Sequence, residues 1–174
     1  MEIRPCTQES IRQLERLGRS PAEMAHHRER WAWQEQGVAV YLLAWRDGQD
    51  VGRTTPLKES KYETVRSAFP GIWEMNALEA RPQGRGVGTL LITAAEQRAA
   101  ESGCTVLGLA VGPENLRARA LYERLGYVEW RRGRVIDVWD ECDDAGRVVR
   151  AHADECVYLV KRFQPVRTGR ARPS

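Results

Sequence analysis

From Thr7 to Gly18 the apolar residues Ile11, Leu14 and Leu17 recur at helical spacing, with Thr7 placed as an N-cap after a short extended start around Ile3. A second helix is predicted from Ser20-Pro21-Ala22-Glu23, where serine caps, proline takes the first helical position and glutamate completes a capping box. It carries His26, His27, Trp31 and Trp33, which the pattern reads as exposed helix histidines and as core or cleft-wall tryptophans. The run Val38 to Trp45, rich in β-branched and aromatic residues, ends at the hairpin signal Asp47-Gly48, and Val51 begins the returning strand. Phe69-Pro70-Gly71 then breaks the chain before a third strand of this group, Ile72 to Ala80.

Beyond Ala80 the period changes. Val87, Leu90, Leu91 and Ala94 follow the i, i+3, i+4, i+7 rule for one helix face, closed by Ser102-Gly103. Thr105 to Val111 is nearly all apolar, as in a strand buried on both faces. A helix of about Asn115 to Leu125 follows Gly112-Pro113 and stops at Gly126. Two strand-like runs, Val135 to Trp139 and Val157 to Val160, flank the turn-rich Asp143-Asp144-Ala145-Gly146. The order is strand, two helices, three strands, helix, strand, helix, two strands, which is an α/β (α+β) chain.

The 174 residues suit a single domain, predicted over 1–164, with 165–174 a basic, disordered tail. No apolar run reaches the ~18 residues of a membrane span, and MEIRPCTQES has neither the basic start nor the apolar stretch of a secretory signal, so a cytoplasmic protein with no membrane partner is expected. Cys6, Cys104, Cys142 and Cys156 form no CxxC pair and read as free thiols. Cys142, His152 and Cys156 lack the paired cysteines of a structural zinc site, so no metal is expected. Five of the 27 basic residues lie in the last fourteen, which leaves 22 basic against 24 acidic residues in the body. A basic tail without a reading module gives no support for nucleic-acid binding. Acidic patches at Asp140-Glu141 and Asp143-Asp144 lean toward a cationic partner.

Candidate chemistry concentrates in Ala80-Arg81-Pro82-Gln83-Gly84-Arg85-Gly86-Val87-Gly88-Thr89-Leu90, a glycine-rich turn between a strand and a helix. Glycines let the backbone approach a ligand, and the free N–H groups and dipole at a helix start favour phosphate. The spacing lacks the third glycine of GxGxxG and the Gly-Lys-Ser/Thr of a nucleoside triphosphate loop. A dinucleotide site would also need an acid at the end of the next strand, and Cys104 to Ala110 offers none.

With Gln83, Gly86 and Gly88 in Gln/Arg-x-x-Gly-x-Gly/Ala, and Asn115, Ala118 and Tyr122 ahead of Leu125-Gly126-Tyr127, the chain resembles the GNAT N-acetyltransferases. The resemblance is close over roughly 72 to 130 and extends by element order to the whole chain. It implies a central mixed, mostly antiparallel twisted sheet, flanked by helices and splayed into a V between the strand ending near Ala80 and Thr105 to Val111. Acetyl-CoA is the implied co-substrate, without a metal. The backbone of Leu78 and Ala80 and the side chain of Asn115 would hold the pantetheine arm, and the amides of Gln83, Gly84, Arg85, Gly86, Val87, Gly88 and Thr89 the pyrophosphate. Gln83 stands where arginine is commoner, and Arg131-Arg132-Gly133-Arg134 lengthens the hairpin after Tyr127.

The reaction implied is direct attack of a primary amine on the thioester in a ternary complex, which needs a base for the ammonium, polarisation of the carbonyl and an acid for the thiolate. Tyr122 is the implied acid. For the base, alternation along Ile72 to Ala80 places Glu74 beside Asn76 and Leu78, with Glu79 opposite. Glu74 is preferred, with Glu79 or a water relay open. The acceptor is a small-molecule amine or a protein amino group, and a homodimer stays open. A non-catalytic acyl-CoA sensor would use the same cleft.

Overall fold

The computed structural model describes residues 1–164; the expected basic tail, 165–174, lies outside the described residues. Twelve elements are present among these residues: β1 Glu2–Pro5, α1 Gln8–Arg16, α2 Pro21–Glu35, β2 Leu42–Arg46, β3 Gln49–Leu57, α3 Glu63–Ala68, β4 Trp73–Ala80, α4 Val87–Glu101, β5 Val106–Val111, α5 Leu116–Arg124, β6 Val128–Cys142 and β7 Val148–Arg162. Local chemistry sets the helix starts. Thr7 and Ser20 each accept from the backbone N–H three residues on and complete capping boxes, with Pro21 in the first turn of α2. Asp47 and Gly48 both take positive φ, 51° and 77°, which joins β2 to β3 by the tight hairpin that Asp-Gly favours.

The seven strands form one sheet in the order β1-β2-β3-β4-β5-β7-β6, antiparallel throughout except for β4 beside β5. That parallel pair is brief: Trp73 is opposite Leu107 and Glu74 opposite Gly108, after which β4 runs on to Ala80 and β5 to Val111 without pairing. The sheet therefore splays into the expected V. On the far side of the split, β5 pairs β7 along its whole length, Val106 with Arg162 through Val111 with Val157. β5 is buried throughout except at half-buried Ala110, in keeping with its apolar sequence.

Within β4 the register against β3 slips: Arg53 faces Glu79, yet Thr55 faces Asn76. One extra residue of β4 is accommodated there, and Ala77 sits at φ 53°, in the left-handed region. The bulge reverses the alternation beyond it and corrects the sequence expectation for this strand. Trp73, Met75, Leu78 and Ala80 pack in the core beneath α4, with Leu91, Ile92 and Ala95, while Glu74, Asn76 and Glu79 make their contacts on the other face. Leu78 is thus opposite Glu74, and Glu79 is on the same side as Glu74.

Two further apolar clusters fill that other face. Cys6, Ile11, Leu14, Met24, Tyr41, Leu43 and Trp45 pack beneath α1 and α2; Val65, Ile72, Val106, Cys156 and Tyr158 pack around α3. Gly108 is needed here for close approach, because a Cβ on it would overlap the Tyr158 ring. The short α3 was absent from the sequence reading, and its N-cap, Tyr62, makes no side-chain capping bond. β6 and β7 are also longer than the apolar runs suggested, because a backbone ladder continues from Val135–Cys156 to Cys142–Val148 through mostly exposed residues.

Candidate active site

Where β4 and β5 part, a cleft of about 530 Å³ opens between the end of β4, the glycine loop and α5. It is lined by Leu78, Ala80, Gln83, Gly84, Gly86, Gly88, Thr89, Asn115 and Tyr122, all singled out from the sequence, together with Arg117, Ala118, Leu121 and Arg124. The side chains of the two other loop residues turn elsewhere: Arg85 is exposed and Val87 is buried in the core.

The loop has features that favour an anion. Gly84 and Gly86 take φ 78° and 79°, and Gly86 is the left-handed N-cap of α4 with no side chain to occupy the first-turn N–H groups. No acidic residue sits in that first turn. Arg117 reaches back from α5 and donates to Gln83 Oε1 at 2.5 Å, which places a guanidinium over the loop. Positive charge, open N–H groups and a helix dipole converge at one point, a donor set that fits a pyrophosphate.

Asn115 caps α5, its Oδ1 accepting from the Ala118 N–H at 3.1 Å, so its amide NH₂ is left for the cleft. Tyr122 is 7% exposed and packs edge-on against Tyr127. Burial pushes its phenol up to about 12, and its hydroxyl makes no hydrogen bond to the described residues.

On the other face of β4 a larger pocket, about 870 Å³, runs from the bulge residues Asn76 and Ala77 to α2 and the β6–β7 hairpin. Arg30 crosses from α2, donating to Asn76 Oδ1 at 2.9 Å, with its guanidinium 4.2 Å from the Trp33 ring centroid. Lys61 pairs with Asp137, which also accepts from the Tyr62 hydroxyl. The acidic patches at Asp140-Glu141 and Asp143-Asp144 are not among its lining residues, and Arg30, Lys58, Lys61 and Arg66 outnumber Glu59 and Asp137. The acids behind the lean toward a cationic partner therefore lie outside this pocket, whose lining has an excess of basic groups.

Glu74 is 1% exposed and sits under Ser60, a lining residue of this pocket. Its Oε2 accepts from Ser60 Oγ at 2.5 Å and from the Tyr158 hydroxyl at 3.1 Å, and burial raises its carboxyl above the usual range despite these bonds. Glu79 is instead paired with Arg53 and Arg81. The histidines also depart from expectation: His26 is half-buried and His27 wholly buried, because α2 turns this face onto β2 and β3. Arg53 donates to His27 Nε2, so Nδ1 bears the proton and donates to Tyr41 Oη at 2.6 Å. Cys142, His152 and Cys156 are spread along the hairpin opposite Val148, Trp139 and Val135, and no metal-binding group is found among the described residues.

This cleft and fold define a class. Residues 8–127, more than half of the chain, match the Acetyltransferase (GNAT) family, and the chain belongs to that family. An N-acetyltransferase of Bacillus subtilis (strain 168), YhfO, itself described as uncharacterized, is 34% identical over 98 residues, 55% of this chain and 62% of that protein. The match thus spans under two thirds of that relative's length. The ribosomal-protein-alanine N-acetyltransferase of Brucella melitensis has the same fold, with a TM-score of 0.66 at 19% identity over 94% of this chain and all of the other. The PaiA N-acetyltransferase of Thermoplasma acidophilum, in complex with coenzyme A, matches with a TM-score of 0.60 at 13% identity over 93% of this chain and 98% of that one. Among the described residues no helix is long and apolar enough to cross a membrane.

Proposed function

We propose that the chain is an acetyl-CoA-dependent N-acetyltransferase acting on a primary amine by direct attack, with both substrates bound at once. The observation that carries this reading is the cleft itself, in which an anion-ready helix start, a splayed strand end and a buried tyrosine hydroxyl line one opening. When bound, acetyl-CoA supplies the activated acetyl group as a thioester. Gln83 to Thr89 and Arg117 would hold its pyrophosphate, and Leu78, Ala80 and Asn115 its pantetheine arm.

The β4 bulge lies where the two openings approach each other, since Asn76 and Ala77 line one and Leu78 the other. A bulge leaves backbone N–H unpaired, and such a donor would polarise the acetyl carbonyl. Glu74 is the base, and its burial makes Ser60 the relay: the hydroxyl donates to Glu74 Oε2 and accepts from the Tyr62 N–H at 3.3 Å, which leaves one lone pair for a proton arriving from the pocket. The raised carboxyl suits a proton acceptor near neutral pH. Tyr122 keeps its proton throughout the neutral range and holds it toward the cleft for the departing sulfur.

Coenzyme A release over a broad amine panel tests the reading. Turnover with at least one amine is expected; acetyl-CoA binding with no turnover on any amine would favour the sensor alternative.

A further inference from the structure

Among the described residues Arg30 differs from three cations of comparable burial. Arg19, Arg53 and Lys161 have side chains 23%, 15% and 25% exposed, and each touches a carboxylate, of Asp50, Glu79 and Glu96. The Arg30 side chain is 14% exposed, yet its nearest carboxylate oxygen, on half-exposed Glu29, is 3.8 Å from Nε, and that Nε is buried with no hydrogen-bond partner. A buried guanidinium without a close counter-ion is costly unless an anion completes it. Its one firm protein bond goes to a neutral amide, Asn76 Oδ1, and Trp33 supports it from one side. The planar fork is therefore fixed beside the β4 bulge and lines the 870 Å³ pocket.

The rest of the pocket does not supply the missing charge. Asp137 is already taken by Lys61 and Tyr62, and Glu59 is exposed at the surface. Arg66 donates to the Ser60 carbonyl and has no carboxylate partner among the described residues, while Lys58 is exposed like Glu59 and offsets it. Trp33, Val38, Leu57, Val138 and Trp139 give the same pocket an apolar wall. A cation fork, an apolar wall and a base reached through Ser60 make up one chemical outline.

We propose, resting on the acetyl-transfer reading above, that the acceptor is a free amino acid whose carboxylate is held by Arg30, whose apolar side chain lies along Trp33, Leu57 and Val138, and whose α-amine meets the bulge. A guanidinium presents two parallel N–H donors to a carboxylate, and this bidentate geometry would orient the amine as well as bind it. The neutral carboxamide of the same amino acid, or a dipeptide with that residue first, keeps the amine but loses the charged partner near it.

Initial rates of coenzyme A release are compared for apolar amino acids, their carboxamides and the corresponding dipeptides, each corrected for its fraction of free amine. For at least one amino acid, kcat/KM is expected to exceed that of its carboxamide by on the order of a hundredfold. In Arg30→Gln that preference falls toward one, chiefly through KM, while melting temperature and acetyl-CoA affinity report on the fold; Arg30→Lys, which keeps the charge without the fork, recovers part of it. Carboxamides or dipeptides that serve as well as the acids, or a preference that survives in Arg30→Gln, overturn the proposal. Should no amine release coenzyme A, the transfer reading fails. Calorimetric titration of the same amino acids into protein saturated with coenzyme A then decides the carboxylate site alone, and no saturable binding overturns it.

Discussion

Ser60 Oγ donates to Glu74 Oε2 at 2.5 Å, and the Tyr158 hydroxyl lies 3.1 Å from the same oxygen. The carboxyl is buried, which raises its affinity for a proton, while the Ser60 bond acts in the opposite direction by favouring the ionised form. If Glu74 accepts the amine proton, turnover requires it ionised, so the rate falls as pH drops through a value above the ordinary carboxylate range. Glu74→Gln should lower kcat by about a hundredfold or more and erase that acidic limb. Ser60→Ala should lower kcat too and move the limb to higher pH, since the bond that favours the carboxylate is gone. Measured pH–rate profiles separate this from packing: unchanged profiles in both folded variants would leave Glu74 a structural residue.

His27 gives a stability prediction with a definite sign. Burial first, and then the Arg53 charge, depress its pKa from 6.5 to about 4, and His26 is depressed to about 3 mainly by burial. The unfolded chain takes up these protons below about pH 6.5 while the folded chain does not. Stability is therefore full above that pH and is lost as pH falls toward 4, by up to roughly 3 kcal/mol for His27 alone. Urea unfolding of His27→Gln should show a shallower decline across pH 6.5 to 4 than the parent; equal slopes would sink the assignment.

Much of this candidate cleft was legible because its patterns are local. Glycines at 84, 86 and 88 and an asparagine cap seven residues before Tyr122 are patterns within single elements, and they fall together on one cleft. The errors arose where tertiary contacts decide. Alternation along β4 is a rule for a regular ladder, and one extra residue near Ala77 moved Glu79 to the face of Glu74 and put Leu78 opposite. His27 looked like an exposed helix residue because its partners, Tyr41 just before β2 and Arg53 in β3, lie 14 and 26 positions away. Arg30 carried no signal at all, since its significance lies in the absence of a close carboxylate. The short α3 escaped for want of a capping side chain.

The loop can be tested with little risk to the fold. Nothing lies within 4 Å of where a Cβ on Gly86 would point, and aspartate tolerates the left-handed conformation better than most residues. Gly86→Asp should therefore fold, at a cost of about 1 kcal/mol from the positive φ, yet set a carboxylate at the helix start where a pyrophosphate would bind. Calorimetry is expected to find acetyl-CoA affinity lost or reduced by more than about a hundredfold. Near-parental affinity would remove the loop from this role. Arg117→Gln, which removes the guanidinium over the loop, should weaken binding by a smaller factor and reduce its salt dependence.

Tyr122 offers the most selective test, because Tyr122→Phe removes one oxygen and keeps the ring that packs against Tyr127. Tyr122 lines the cleft and its hydroxyl has no partner among the described residues, so its loss strands no protein group. A phenol raised to about 12 by burial stays protonated throughout the neutral range. It is a weak acid, so its proton is useful only where negative charge develops close by, as on a departing thiolate during collapse of the tetrahedral intermediate. That need exists in the transition state and not in the bound substrate, which predicts the kinetic pattern. Turnover should fall by on the order of a hundredfold or more, with acetyl-CoA affinity nearly intact and kcat and kcat/KM reduced together. A residue that only packs would show the reverse, a small loss of stability with turnover preserved. A folded Tyr122→Phe protein working within about twofold of the parent, on any amine it acetylates, would exclude Tyr122 as the acid.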